Sequence, residues 1–280
     1  MGRKSNINEK LVVKTFKELK SVSKTAKVLN IKYHQAHYIL KKHKLNPSSS
    51  EGHRIYKADY KYFNNINTEE KAYWLGFLYA DGCIADSDGT KRLQTSLKSE
   101  DYEHLHKLKK SLKSTHPIHF RIIKSGKMQG KKYCSLFIRT NELCNALIKL
   151  GCTPRKSLTL EFPELPKNLI PHFIRGYFDG DGSVFISKEK HWRSGKISEV
   201  IHYRFVGTEN FLKKVDENIN LKGYLQKIKG SKAFELAYKR DKKLKPFYDY
   251  LYSKASIFLE RKKLIFDTYL QERCSETIIS

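Results

Sequence analysis

The sequence predicts an α+β protein made of two similar halves behind a small all-α N-terminal domain. Each half runs helix, two strands, helix, two strands, helix, with antiparallel sheets. Three observations lead there. An apolar helix ending in Asp-Gly occurs twice, its aspartates 100 positions apart. The same succession of strand-like and helix-like runs follows each copy. Residues 9–45 carry only helical periodicity, and a stretch of Pro, Ser and Gly then separates them from the rest.

The N-terminal residues 1–45 read as three short helices. Leu11, Val12, Phe16 and Leu19 recur at helical spacing. Ser23 is placed to cap a second helix with Ala26, Val28 and Leu29 on its apolar side. Asn30 and Ile31 make a tight turn, and a third helix runs from Tyr33 to about His43 with Ala36, Ile39 and Leu40 inward. Three short helices with a compact turn before the last suit a helix-turn-helix. Twelve Lys/Arg stand against Glu9 and Glu18 in this segment. The third helix offers His34, Gln35 and Lys41 to a polyanion, with Lys32, Tyr33, His37, Tyr38 and Lys42 beside them. A basic bundle that only props up the rest is the plainer alternative. Residues 46–55, with Pro47, three serines and Gly52, form a linker.

The halves span residues 56–165 and 166–280. The first device is Ala72-Tyr73-Trp74-Leu75-Gly76-Phe77-Leu78-Tyr79-Ala80-Asp81-Gly82. The second is His172-Phe173-Ile174-Arg175-Gly176-Tyr177-Phe178-Asp179-Gly180-Asp181-Gly182. Thr68 caps the first helix, with Glu69 and Glu70 in its first turn, and Pro171 opens the second. Ala72, Gly76 and Ala80, like Gly176 and Gly180, recur every fourth position and form a stripe. A glycine inside a helix costs about 0.5–1 kcal/mol relative to alanine, and close helix–helix approach at Gly76 and Gly176 is the compensating gain. Packing the stripes together brings Asp81 and Asp181 side by side at the helix ends. Two carboxylates that close favour a hard divalent cation, with the backbone carbonyls of Ala80 and Gly180 as further oxygens.

After the first helix, strand-like runs fall at 82–85, 92–97, 118–123 and 133–139, and after the second at 183–188, 201–206, 223–229 and 233–239. Leu97-Lys98-Ser99-Glu100-Asp101 parallels Val206-Gly207-Thr208-Glu209-Asn210, and a helix follows each. Gly126, Gly130 and Gly230 mark turns. Lys98, Arg121, Lys124, Lys131, Lys132 and Arg139 alternate with or flank apolar residues in the first half. Lys227, Lys229, Lys232, Lys239 and Arg240 do so in the second. One sheet face would pack on helices while the other offers charge to a nucleic-acid groove, the alternative being an ordinary solvated face.

Composition narrows the classes. The 280 residues suffice for a sizeable core, and 39% hydrophobic residues exclude a disordered chain. A net charge of +26 points to a polyanionic partner, nucleic acid first and an anionic membrane surface second. No apolar run approaches the roughly 20 residues of a spanning helix. The N-terminus shows no signal-peptide core, so a cytoplasmic location is expected. Cys83, Cys134, Cys144, Cys152 and Cys274 are odd in number and lack a Cys-x-x-Cys pair, which favours reduced thiols over zinc or disulfides. Asp86-Ser87-Asp88-Gly89 reads as a hairpin turn and not a calcium loop.

The repeated segments, Trp74 to Gly82 and Ile174 to Gly182, resemble the nine-residue LAGLIDADG signature, and the likeness extends over about residues 56–270. It implies a single-chain, pseudo-symmetric monomer whose two saddle-shaped sheets straddle double-stranded DNA with a long asymmetric target site. It also implies a homing endonuclease that uses Mg2+ or Mn2+ and leaves 5′-phosphate and 3′-hydroxyl ends with short 3′ overhangs. The eighth signature position is the metal-binding acid of that family, here Asp81 and Asp181. The sixth is Tyr79 in one copy and Asp179 in the other, and Leu75 and Arg175 replace the signature alanine. Arg175 is expected on the outer edge of the helix pair. The family places a basic residue near each scissile phosphate, which points to Lys156 and Lys262, with Arg261 competing for the second place and mere phosphate contact as the alternative role. The resemblance also admits a non-catalytic DNA-binding regulator or an intron RNA maturase. An intein is not expected, since Gly2 follows Met1 and the chain ends Ile278-Ile279-Ser280. A nucleoid-associated protein of bacterial or phage origin fits best, with an organelle as the alternative.

Overall fold

A computed structural model describes residues 7–45, 55–87, 89–126, 128–190, 193, 195–239 and 241–279. Most of the linker, Asp88 and Arg240 lie outside the described residues. The chain divides into two compact units, residues 1–57 and 58–280.

The first unit holds α1 (Glu9–Leu19), α2 (Val22–Val28) and α3 (Tyr33–Lys42). Asn8 caps α1 by accepting from the Leu11 N–H at 3.1 Å. Ser21, not Ser23, caps α2, its Oγ accepting from the Lys24 N–H at 3.4 Å. Val28 is 66% exposed and does not join the apolar side. Leu11 is also exposed, and the core is Val12, Phe16, Val22, Ala26, Ala36, Ile39 and Leu40. Asn30 sits at φ 48°, a left-handed turn that Asn tolerates better than most residues.

The second unit opens with α4 (Glu69–Asp81), β1 (Gly82–Ser87), β2 (Thr90–Lys98), α5 (Tyr102–Ser111), β3 (Ile118–Ile122), β4 (Lys132–Arg139) and α6 (Asn141–Lys149). It continues with α7 (Ile170–Asp181), β5 (Ser183–Lys190), β6 (Ile197–Gly207), α8 (Glu209–Ile219), β7 (Tyr224–Lys227), β8 (Phe234–Lys239), α9 (Asp241–Tyr252) and α10 (Glu260–Ile279). Both sheets are antiparallel with the same topology, β1-β2-β4-β3 and β5-β6-β8-β7. The expected order of elements is present, and the second half adds one helix, α10.

Every residue from Ala72 to Tyr79 and from Phe173 to Asp179 is buried. Helices that are apolar on nearly all sides belong in the middle of a molecule, and these two pack on each other there. Gly76 and Gly176 make this possible. A Cβ on Gly76 would collide with the carbonyl of Phe173, and one on Gly176 with the carbonyl of Tyr73. The contact is reciprocal at an offset of 100 residues, which is a local two-fold between the helices. Ala80 and Gly180 then face each other one turn further on.

Arg175 departs from expectation. It is 1% exposed, not on an outer edge. Its guanidinium donates to Glu69 Oε1 at 2.7 Å and to the carbonyls of Leu251 and Ile257, each at 2.9 Å. His172 Nδ1 lies 2.9 Å from Nη1. A buried charge survives only when paired and hydrogen-bonded, and these partners do both.

Candidate active site

Each of α4 and α7 ends on its aspartate. The next residue, Gly82 or Gly182, leaves the helix in extended conformation while its N–H still bonds the carbonyl of Leu78 or Phe178. The chain therefore turns from helix end directly into β1 and β5, which root the two sheets at the acids. Asp81 is half-buried and Asp181 is open to solvent. Desolvation and then the neighbouring Asp181 charge raise the Asp81 pKa to about 7. Asp181 is raised by desolvation too, against the pull of Lys156 and Lys262.

The two lysines take unlike positions to those expected of residues touching phosphate. Lys156 is 8% exposed and Lys262 is 3% exposed. Lys262 donates to the carbonyls of Phe178 and Asp179 at 2.7 and 2.8 Å, to Gly180 at 3.3 Å, and to Gly182. Lys156 donates to the Gly82 carbonyl and, at 3.5 Å, to that of Ala80. Each ammonium satisfies the open carbonyls at a helix C-terminus, where a cation is favoured. Each also lowers the pKa of both aspartates. Burial pulls the Lys262 pKa down to about 8 although Asp179 opposes it. Arg261, the competing candidate, has a partner of its own. Arg261 turns to Asp101, its Nε and Nη2 lying 2.8 and 3.0 Å from the carboxylate oxygens.

Asp179 takes the sixth position of the second repeated segment. It is a fully buried carboxylate that accepts from Tyr73 Oη at 2.7 Å, the Leu259 N–H at 2.8 Å and Tyr252 Oη at 3.4 Å. Desolvation raises its pKa to about 6, with Lys262 and Tyr73 opposing. Tyr73 spends its proton on ionised Asp179, so it accepts from His104 Nε2, 2.9 Å away. His104 is held neutral, its pKa pushed to about 3 by burial. This chain of polar groups crosses from one half to the other beneath the acids. No local signal marks it, because its members are scattered along the sequence.

The sheets each bury one face. Leu93, Thr95, Leu97, Cys134, Leu136 and Ile138 line the packed side of the first. Strand alternation puts Arg92, Gln94, Ser96, Lys98, Arg121, Tyr133 and Arg139 on the open side. Lys98, Arg121 and Arg139 thus lie where the sequence placed them. Lys132 does not: it pairs with Ile122 in the register of the packed side and only overhangs its end. Lys227, paired with Phe234, is misassigned for the same reason, and Lys239, paired with His202, is on the open side. A shift of one residue changes the face, and basic runs at strand ends do not reveal it. Lys124 and Lys229 are exposed in the turns beyond β3 and β7. Arg92, Arg204 and Glu235 on the open faces were not singled out from sequence. In the N-terminal unit His34 and Lys41 are exposed, whereas Gln35 accepts the Lys32 N–H at 3.0 Å and so helps cap α3.

Other expectations resolve simply. Cys83, Cys134, Cys144 and Cys152 are free thiols. Among the described residues no helix is long and apolar enough to cross a membrane.

No protein-family model and no curated protein matches the sequence. Solved structures do. The I-LtrWI LAGLIDADG homing endonuclease bound to target DNA superposes with a TM-score of 0.51 at 13% identity, over 76% of this chain and 92% of that one. The LAGLIDADG meganuclease I-AabMI bound to uncleaved DNA gives 0.48 at 16% identity, over 73% and 91%. Two equal sheets rooted at the ends of one helix pair, and the first of these superpositions, show that residues 58–280 have the fold of the LAGLIDADG homing endonucleases.

Proposed function

We propose that the protein is a metal-dependent DNA endonuclease that hydrolyses one phosphodiester in each strand of a duplex, leaving 5′-phosphate and 3′-hydroxyl ends. One observation carries the reading: Asp81 lies near enough to Asp181 to feel its charge, both accessible to solvent, where two sheets with open faces begin. The solved structures of this fold include I-LtrWI bound to target DNA.

The donor set suits Mg2+ or Mn2+. Both side-chain donors are carboxylates, the neighbouring backbone donors are carbonyls, and the pair repels itself without a cation. When bound, the ion supplies positive charge against the scissile phosphate and the charge that develops on it. The chain's own groups do the rest. Asp81 and Asp181 bind the ion, each from a rigid helix end. Lys156 and Lys262 fix those ends and offset part of the carboxylate charge, and from their burial they act through the aspartates and carbonyls. The carbonyls of Ala80 and Gly180 remain at the site, each already facing a lysine. The open sheet faces hold the duplex, and α3 of the N-terminal unit adds a flanking grip through His34 and Lys41.

Asp81→Asn and Asp181→Asn are the direct test, assayed by nicking and cutting of plasmid and phage DNA with Mg2+ and with EDTA. Each variant should keep duplex binding and lose at least ~100-fold in cleavage rate. Undiminished cutting by either variant sinks the metal assignment. Tight duplex binding with no cutting under any divalent ion would make the protein a regulator, and preference for intron RNA over duplex a maturase.

A further inference from the structure

The two open sheet faces are unlike in charge. On the first, the strand positions carry Arg92, Lys98, Arg121 and Arg139 and no carboxylate. Arg121 has a ring beneath it, that of Tyr133 at 5.8 Å, and Arg92 lies 5.3 Å over Phe137. Arg92 Nε is buried without a hydrogen-bond partner, and none of the four cations has an acidic partner among the described residues. Arg92 is nevertheless held, its Nη2 donating to Gln94 Oε1 at 3.4 Å, so the cations of this face that no side-chain hydrogen bond directs, among the described residues, are Lys98, Arg121 and Arg139.

The second face carries two cations and two carboxylates, all paired. Lys239 Nζ lies 2.5 Å from Glu189 Oε2, and His202 Nε2 lies 2.9 Å from Glu189 Oε1. Arg204 is held on three sides. Its Nε donates to Ser183 Oγ at 2.9 Å, its Nη1 to Glu235 Oε2 at 2.8 Å, and its plane lies 5.3 Å over the Phe185 ring. Gln226 Nε2 donates to the other Glu235 oxygen at 3.2 Å. The Arg204 side chain is still 40% exposed, and its Nη2 has no partner among the described residues. Phe185, His202, Arg204, Gln226, Glu235 and Lys239 line part of a groove of about 660 Å³.

Building on the reading of the protein as a duplex-DNA enzyme, we propose that the sheets divide the labour. The first holds its half-site through phosphates, and the second reads bases through the preset Arg204–Glu235 pair. The physical reason is entropy against direction. A guanidinium with its plane already fixed has little freedom left to lose and presents donors in one orientation, which suits the O6/N7 edge of guanine. A neighbouring carboxylate accepts from a base amino group and repels phosphate, so it belongs over a groove and not over a backbone. Unpaired cations on an acid-free face do the opposite: they release counterions at any sequence.

The test uses the full chain in EDTA, so that cleavage does not interfere, and a pool of random-sequence duplexes. Wild type, Arg121→Ala, Arg139→Ala, Arg204→Ala and Glu235→Gln are compared, each first checked for an unchanged thermal melt. The isosteric Glu235→Gln keeps the result interpretable should Arg204→Ala melt early. Arg121→Ala and Arg139→Ala should each flatten the slope of log affinity against log salt by about 0.9 and leave the selected consensus intact. Glu235→Gln and Arg204→Ala should erase preference at one or two adjacent positions of a single half-site. Glu235→Gln should also strengthen non-specific binding. An unchanged consensus with Glu235→Gln, or loss of the same base preference with Arg121→Ala, overturns the division of labour. Wild type that fails to bind duplex at any salt would overturn the underlying functional reading instead.

Discussion

Asp81 and Asp181 are equivalent in sequence and unequal in surroundings. Asp81 is the more enclosed, so its charge is the costlier. In the folded protein it keeps its proton to about pH 7, whereas an unfolded aspartate releases it at an ordinary 3.8. Between those values the folded state binds more protons, so this group's contribution to stability falls as pH rises. Asp81→Asn removes that cost. In metal-free buffer the variant should melt higher than wild type at pH 7, by roughly 1–2 kcal/mol after discounting for partial solvent access, and alike at pH ~3.5. Mg2+ should raise the wild-type melting temperature and leave the variant's unmoved. A variant that melts lower at pH 7 would show that the acid is stabilised in its place and does not await a cation.

At the scale of the element, α4 and α7 do two tasks with one stripe. The glycines let the backbones touch, and the touching backbones fix where both helices end. Gly76→Ala or Gly176→Ala drives a methyl into a carbonyl of the partner helix and should destabilise by about 3 kcal/mol or more, read by urea unfolding. The same substitution at Gly89, an exposed turn with open space around it but φ 74°, should cost only its backbone strain, on the order of 1 kcal/mol. Comparable losses at both sites would remove the case for close helix contact. The lysines work at this scale also: Lys156 holds two carbonyls at the end of α4, and Lys262 holds four at the end of α7.

At the scale of the whole molecule the charge of +26 is unevenly distributed. Among the described residues, the strand positions of one open sheet face carry no carboxylate, those of the other are internally paired, and the N-terminal unit carries its own exposed Lys41 and His34. If that unit grips flanking DNA, Lys41→Ala should weaken duplex affinity several-fold at moderate salt and flatten the salt slope by about 0.9. The cleavage rate at saturating protein should not change. A fall in that saturated rate would place the unit in the chemistry and not beside it.

The repeat of the Asp-Gly helices, the element order, the two sheets and the meeting of the acids were all legible in the chain. They depend on local periodicity and on small residues at fixed spacing, which any reader of the sequence can count. The cap of α2 and the faces of Lys132 and Lys227 were not, because a one-residue shift reverses a side chain's face while leaving composition unchanged. Arg175 looked like a surface residue because its partners, Glu69, Leu251 and Ile257, are remote in sequence. The partners of Asp179 and Arg204 were hidden for the same reason. The two aspartates and their shared location were determined by the sequence itself. What lies around them, and which charges are free and which already spoken for, was decided only by tertiary structure, since pairing and burial depend on neighbours that chain order does not specify.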